Sequence, residues 1–156
     1  MAEGSAAAAR PASVPLAARL VLLVIALFYL YGAAVHVANM LSLTGFHWPQ
    51  APLKWRILDL VYLVADIVVA VGLALLKRPA VIAFYLAATS QVLLYTLLRP
   101  WILEVPAAYR PPASAQGYLD GLVIFHLLTL VLVSALLLQR RRRAPGQAAS
   151  GGGNAS

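Results

Sequence analysis

Of the 156 residues, 62% are hydrophobic and only 11% are charged, against the roughly 45–50% and 25% of an ordinary soluble domain. That imbalance excludes a water-soluble globule, and the absence of cysteine excludes disulfides, thiolate catalysis, iron–sulfur clusters and Cys-ligated zinc. The net charge of +7 does not mark a nucleic-acid binder. Four basic residues form the run Arg140, Arg141, Arg142 and Arg143, most of the others flank apolar stretches, and neither a basic groove nor a base-stacking motif is present.

In chain order, residues 1–15 are small, polar or proline-containing and read as a disordered tail. Residues 16–140 then hold four apolar spans, at about 20–41, 57–76, 80–98 and 119–138. Each is long enough to cross a bilayer and is bounded by charge or proline at Arg19, Arg56, Lys77-Arg78-Pro79, Arg99-Pro100 and Arg140. Backbone groups in hydrocarbon must be satisfied internally, so these spans are expected to be helices. The expected fold class is all-α, an integral membrane four-helix bundle. Residues 141–156, basic and then rich in Gly, Ser and Ala, read as a second disordered tail.

Orientation comes from the basic residues. Arg10, Arg19, Lys77, Arg78 and the four arginines after the last span lie on one side; Lys54, Arg56, Arg99 and Arg110 lie on the other. The richer side belongs in the cytoplasm, which places both termini inside a bacterial-type inner membrane. Arg140, Arg141, Arg142 and Arg143 then act as topology anchors at lipid headgroups. Trp48, Trp55 and Trp101 fall in or beside the two outer loops, as an interfacial aromatic belt requires. A competing reading takes residues 20–31 as a signal-peptide core with cleavage near Gly32-Ala33-Ala34. Tyr29, Tyr31 and the apolar run continuing to Leu43 argue against it.

Polar groups inside the spans carry the functional information, because each ionisable one costs roughly 2.5–3.5 kcal/mol at mid-membrane. They are His36 and Asn39 in the first span, Asp59 and Asp66 in the second, Gln91 and Tyr95 in the third, and Asp120 and His126 in the fourth. At 1.5 Å per residue, His36 and His126 sit roughly 5–10 Å below the outer boundary and Asp66 and Gln91 roughly 12–14 Å below it. The inner halves are nearly pure Leu, Val, Ile and Ala. Helical angles put Tyr29, Gly32, His36 and Asn39 on one face, Asp59, Tyr62 and Asp66 on another, and Ala88, Gln91 and Tyr95 on a third. Asp59 reads as an interfacial carboxylate near Arg56, and Asp120, turned about 120° from His126, as a snorkelling one. Asp66 has no Lys or Arg in any span to pair with, so it must be neutralised, matched by histidine or reached by water.

From this pattern His36, Asn39, Asp66, Gln91, Tyr95 and His126 are expected to line an outward-facing pocket. Its ligand would be a small amphipathic molecule, such as a quinone or lipid headgroup, or a proton or metal ion. No pair of broken helices suggests an alternating-access transporter. Two further readings stand beside it. One is an accessory subunit whose polar layer only joins helices and whose faces dock on a larger membrane complex or a second copy. The other is a haem protein with His36 and His126 as axial ligands. Haem and quinone are thus left open as cofactors and neither is compelled. No nucleophile–base pair, HExxH motif or phosphate loop is present, so binding is expected in preference to catalysis.

The stretch ADIVVAVGLALLKRPAVIAFYLAAT, residues 65–89, resembles the middle of DoxX-like small bacterial membrane proteins. Asp66, Gly72-Leu73, the basic turn Lys77-Arg78 and the Ala-rich segment 83–88 match that family's outline. FYLYGAAVH, residues 28–36, is similar to its first-helix pattern of an aromatic followed by glycine. Where the family often carries Glu this chain has Asp66, and where a basic residue tends to follow the glycine it has His36 a step later. The resemblance implies a four-helix bundle near quinone-linked or other redox machinery, usually as an accessory subunit.

Overall fold

The computed structural model describes residues 14–149, with the side chains of 113–116 and 140–149 outside that description. Five helices succeed one another: α1 Leu16–Met40, α2 Leu53–Ala74, α3 Arg78–Tyr95, the short α4 Arg99–Leu103 and α5 Ala113–Ala149, with single 3₁₀ turns at Trp48–Gln50 and Ala107–Tyr109. The described residues contain no strand. Proline sets the starts. Pro15 and Pro52 immediately precede α1 and α2, Pro79 and Pro100 occupy the first turns of α3 and α4, and Pro111-Pro112 precedes α5, where a missing N–H costs nothing.

The ends of α1 and α2 share one device. Ser42 and Leu76 adopt positive φ, at 60° and 54°. The next amide reaches back five residues, Leu43 N to Ala38 O at 2.9 Å and Lys77 N to Gly72 O at 2.9 Å. These are Schellman closures with a non-glycine residue in the left-handed position. The second of them turns α2 sharply into α3, so that a β-carbon built on Gly72 would lie 2.3 Å from that of Ala80.

The four long helices enclose one core. α1 packs along α2, α2 along α3 and α3 along α5, while α1 and α5 touch only sparsely. Ile25, Tyr29, Val69, Leu73, Phe84 and Val133 are its larger members, and Ala26, Ala70, Ala80, Ala87 and Ala88 permit close approach between them. Tyr29 meets Phe84 edge-on at 5.9 Å. Tyr62 Oη donates to Ser90 Oγ at 3.2 Å between α2 and α3, and Tyr85 and Ser134 join hydroxyls between α3 and α5.

Outward, the helices present the reverse of a soluble surface. Leu27 and Leu30 of α1, Leu60 and Val64 of α2, and Leu128 and Val131 of α5 are each half exposed or more. Three helices, α1, α2 and residues 117–139 of α5, are long and apolar enough to cross a membrane, and such apolar walls suit a lipid environment. The third expected span, 80–98, becomes a helix of 18 residues. Arg78, Ser90 and Gln91 lower its hydropathy, and α3 gives way beyond Tyr95 to a turn and α4.

α5 runs past the expected 119–138 at both ends, beginning at Ala113 after Pro111-Pro112; at its far end residues 139–143 are helix formers with no stop signal among them and the helix continues through Pro145 to Ala149. The tail expected from 141 onward is therefore helical to 149. The side chains of Arg140, Arg141, Arg142 and Arg143, and residues 1–13 and 150–156 of the two expected tails, lie outside the described residues.

Close approach at Gly72 makes a direct prediction. Gly72→Ala would force α2 and α3 apart at their turn, costing about 1–3 kcal/mol as overpacking does. Thermal unfolding of the purified protein should show a clear drop in midpoint, and an unchanged midpoint would contradict the packing at Ala80.

Candidate functional site

The polar side chains gather at the end of the helices opposite the α2–α3 turn. Asp59 lies in the second turn of α2, one face-repeat before Asp66, and both face α1 across the tightest helix pair. Asp59 is buried and accepts three hydrogen bonds. His36 Nδ1 lies 2.8 Å and Asn39 Nδ2 2.9 Å from its Oδ1, and Trp48 Nε1 lies 2.8 Å from its Oδ2. The amide and indole N–H groups donate to it, and so does the imidazole in the tautomer with hydrogen on Nδ1. The reading of Asp59 as an interfacial carboxylate beside Arg56 is therefore corrected: it is the hub that ties α1 and the loop after it to α2. Arg56 lies instead beside the Trp48 ring, 6.0 Å from its centroid.

Asp66 is the contrasting acid. It is 3% exposed. Its Oδ2 lies 3.7 Å from His36 Nε2, an electrostatic contact too long for a hydrogen bond, and its Oδ1 is buried with no hydrogen-bond partner. Gly32 makes room for it. A β-carbon at that position would stand 2.4 Å from Asp66 Oδ2, so only glycine on α1 lets the carboxyl tuck between the helices.

Two cavities meet at this acid. One, of about 280 Å³, lies between α1 and α5, where those helices touch least; Phe28, Tyr29, Phe125 and His126 form walls around Asp66 and Gln91. The other, of about 300 Å³, extends toward the loops and is lined by His36, Asn39, Asp59, Asp66, Gln91 and Tyr95 among others. The six residues singled out from the sequence thus all line one or both cavities, with His126 confined to the first and His36, Asn39 and Tyr95 to the second. Tyr29 and Gly32 also line the first cavity, and the face they share with His36 in the sequence was the signal for their part in it.

His126 is buried on α5, and its Nδ1 lies 2.7 Å from Leu122 O. A carbonyl only accepts, so Nδ1 carries the hydrogen and Nε2 is an acceptor. His36 has each ring nitrogen facing a carboxyl group, at 2.8 and 3.7 Å, which leaves neither nitrogen free for a haem iron. Among the described residues no group of three or more His, Asp or Glu stands ready to hold a metal ion. Asp120, as expected, stands toward solvent and pairs with Arg99 at 2.8 Å.

The loops over the second cavity are fastened to one another. Trp55 Nε1 donates to Ile102 O at 2.9 Å, Lys54 Nζ donates to Trp101 O and Glu104 O, and Phe46, Trp55 and Tyr109 form an edge-to-face cluster. No family model, curated protein or solved structure matches this chain, so function has to be read from the geometry of these cavities and their lining.

Removing the two outer acids should separate their roles. Asp59→Ala strands three donors, two on α1 and one on the loop after it, and each buried group left unsatisfied costs about 1–3 kcal/mol; Asp120→Ala loses an exposed ion pair of about 0–1 kcal/mol. Chemical denaturation of both variants should show a large loss for the first and almost none for the second. Equal effects would contradict the Asp59 network.

Proposed function

We propose that the protein is a small integral membrane protein whose helices α1, α2, α3 and α5 cross a bilayer as a four-helix bundle, with an Asp66-centred chamber that binds a small amphipathic ligand. The apolar outer walls support the membrane setting, since half-exposed Leu, Ile and Val cover every long helix and a folded soluble protein does not tolerate such a surface. The distribution of basic residues supports both termini on the cytoplasmic side of a bacterial-type inner membrane and the chamber on the outer side. α3, the least apolar of the four, is sheltered by neighbours on two sides, against α2 and α5.

One observation carries the binding reading: a buried carboxyl oxygen without a hydrogen-bond partner stands where two cavities adjoin. Burying an unmatched polar group is costly, and natural structures match nearly all of them, so an oxygen left open onto a chamber points to a partner that arrives from outside the chain. Volumes of about 280 and 300 Å³ stand at the lower end of ligand pockets, which suits a single ring or a small head with its apolar remainder between α1 and α5. The resemblance to DoxX-like proteins points to the same acid, and within this reading Asp66 is the ligand-facing group.

The chain purified from membranes and washed should retain a lipophilic small molecule, recovered by solvent extraction and seen by mass spectrometry. Asp66→Asn should lose it while accumulating in the membrane at the level of the parent. Identical extracts from both would remove Asp66 from the binding role, and an extract containing bulk lipid alone would remove the chamber.

A further inference from the structure

The first cavity holds acceptors that no group of the described residues serves, beside the donors of the Gln91 amide and the Tyr29, Tyr31 and Tyr118 hydroxyls. Asp66 Oδ1 and Tyr29 Oη are both buried there without a hydrogen-bond partner, and His126 presents Nε2, the acceptor nitrogen, because Nδ1 is spent on Leu122 O. No carboxylate lies within 4.0 Å of His126 among the described residues, where the histidine ion pairs are those of His36, so nothing at this position supports a buried imidazolium.

The charge is one-sided as well. Among the described residues no Lys or Arg lines either cavity: Lys54 is held by two carbonyls, Arg56 lies on the Trp48 ring and Arg99 is paired with Asp120. Two carboxylates, Asp59 and Asp66, share the single imidazole of His36. Among the described residues that ring is the one basic side chain beside Asp66, and Asp66 Oδ1 is the oxygen it leaves without a partner. Phe28, Tyr31, Tyr118 and Phe125 supply aromatic surface around it, and aromatic faces attract cations.

On this chamber reading, we infer that the ligand is an organic cation, a protonated amine on an apolar body about one ring wide, whose ammonium hydrogens are accepted by Asp66 Oδ1, Tyr29 Oη and His126 Nε2. An ammonium offers three donors and no acceptor, the complement of those three acceptors. Neither an ionised acidic headgroup nor a quinone carbonyl offers a hydrogen to Asp66 Oδ1.

The test uses the full chain in nanodiscs of zwitterionic phosphatidylcholine, with empty nanodiscs subtracted for partition. Equilibrium dialysis at neutral pH compares 4-phenylbutylamine, 4-phenylbutanol, 4-phenylbutyrate and the single-ring quinone 2,3-dimethoxy-5-methyl-1,4-benzoquinone. An alkylamine, like lysine with its ordinary pKa of about 10.4, is cationic under these conditions. The amine should bind saturably and at least about tenfold more tightly than the alcohol, on the scale of a desolvated cation–π and ion-pair contact, with the acid weakest. Asp66→Asn should erase the amine's advantage over the alcohol. Alcohol or quinone binding as tightly as the amine overturns the cation assignment while the chamber stands, as does an advantage retained by the Asn variant. Amine and alcohol are compared on the parent protein, so their ranking decides the assignment whether or not the variant folds. If none of the four probes binds saturably, the chamber reading falls and this assignment with it.

Discussion

A carboxyl group taken out of water needs donors or a counter-charge, and two acids on one face of α2 meet that requirement in opposite ways. Asp59 is satisfied within the chain, by an imidazole, an amide and an indole, and the bonds that satisfy it also fix α1 and its following loop against α2. Asp66, two turns deeper, shares the same imidazole at a longer distance and keeps one oxygen unmatched. Leaving one member of a buried ion pair without its partner is strongly destabilising. The persistence of an acid at this depth is thus best understood through what it faces, and it faces the junction of two cavities.

Helix spacing explains why these two cavities lie at that end. At the α2–α3 turn, Gly72 against Ala80 brings backbones together, and the alanines of α3 with Phe84 and Val69 fill the space between α1, α2 and α5. Toward the loops the same helices carry Tyr62, Gln91, Leu94 and Tyr95, larger side chains that meet α1 where Gly32 is nearly flat. Small residues close one end and larger ones hold the other apart. The sparse contact between α1 and α5 leaves the first cavity between them, and Tyr29, edge-on to both Phe84 and His126, marks the level at which packed core gives way to chamber.

Much of this was legible in the chain. Hydropathy located all four long helices to within a few residues at most ends, and the 100° advance per residue placed Tyr29, Gly32, His36 and Asn39 on one face before any neighbour was known. Asp59 escapes a sequence reading because its depth is counted from an apolar run beginning at 57, whereas the helix begins at Leu53 after Pro52, so a whole extra turn covers it. Nor does local pattern reveal that Trp48, in a loop, folds back to donate to it. That contact depends on Ser42 adopting positive φ and accepting the Trp48 amide at 3.0 Å, a turn with no glycine to announce it. The reach of α5 to Ala149 is hidden for the opposite reason: Gly, Ser and Ala composition after residue 144 outweighs the helix-forming arginines before it.

Asp66, His36, Asp59 and Trp48 form one continuous polar chain from the buried chamber to the loop above the second cavity. Its members are not interchangeable. Asp59 is committed to three donors, so the position of the His36 ring is set from the loop side by a 2.8 Å contact, and the weaker 3.7 Å contact to Asp66 is the one free to change. On the proposed chamber reading, a cation at Asp66 Oδ1 would compete with His36 for that carboxyl without disturbing the bonds that hold α1 to α2. Asp59 makes the close contact and Asp66 the long one, seven residues apart on the same helix, with one imidazole between them.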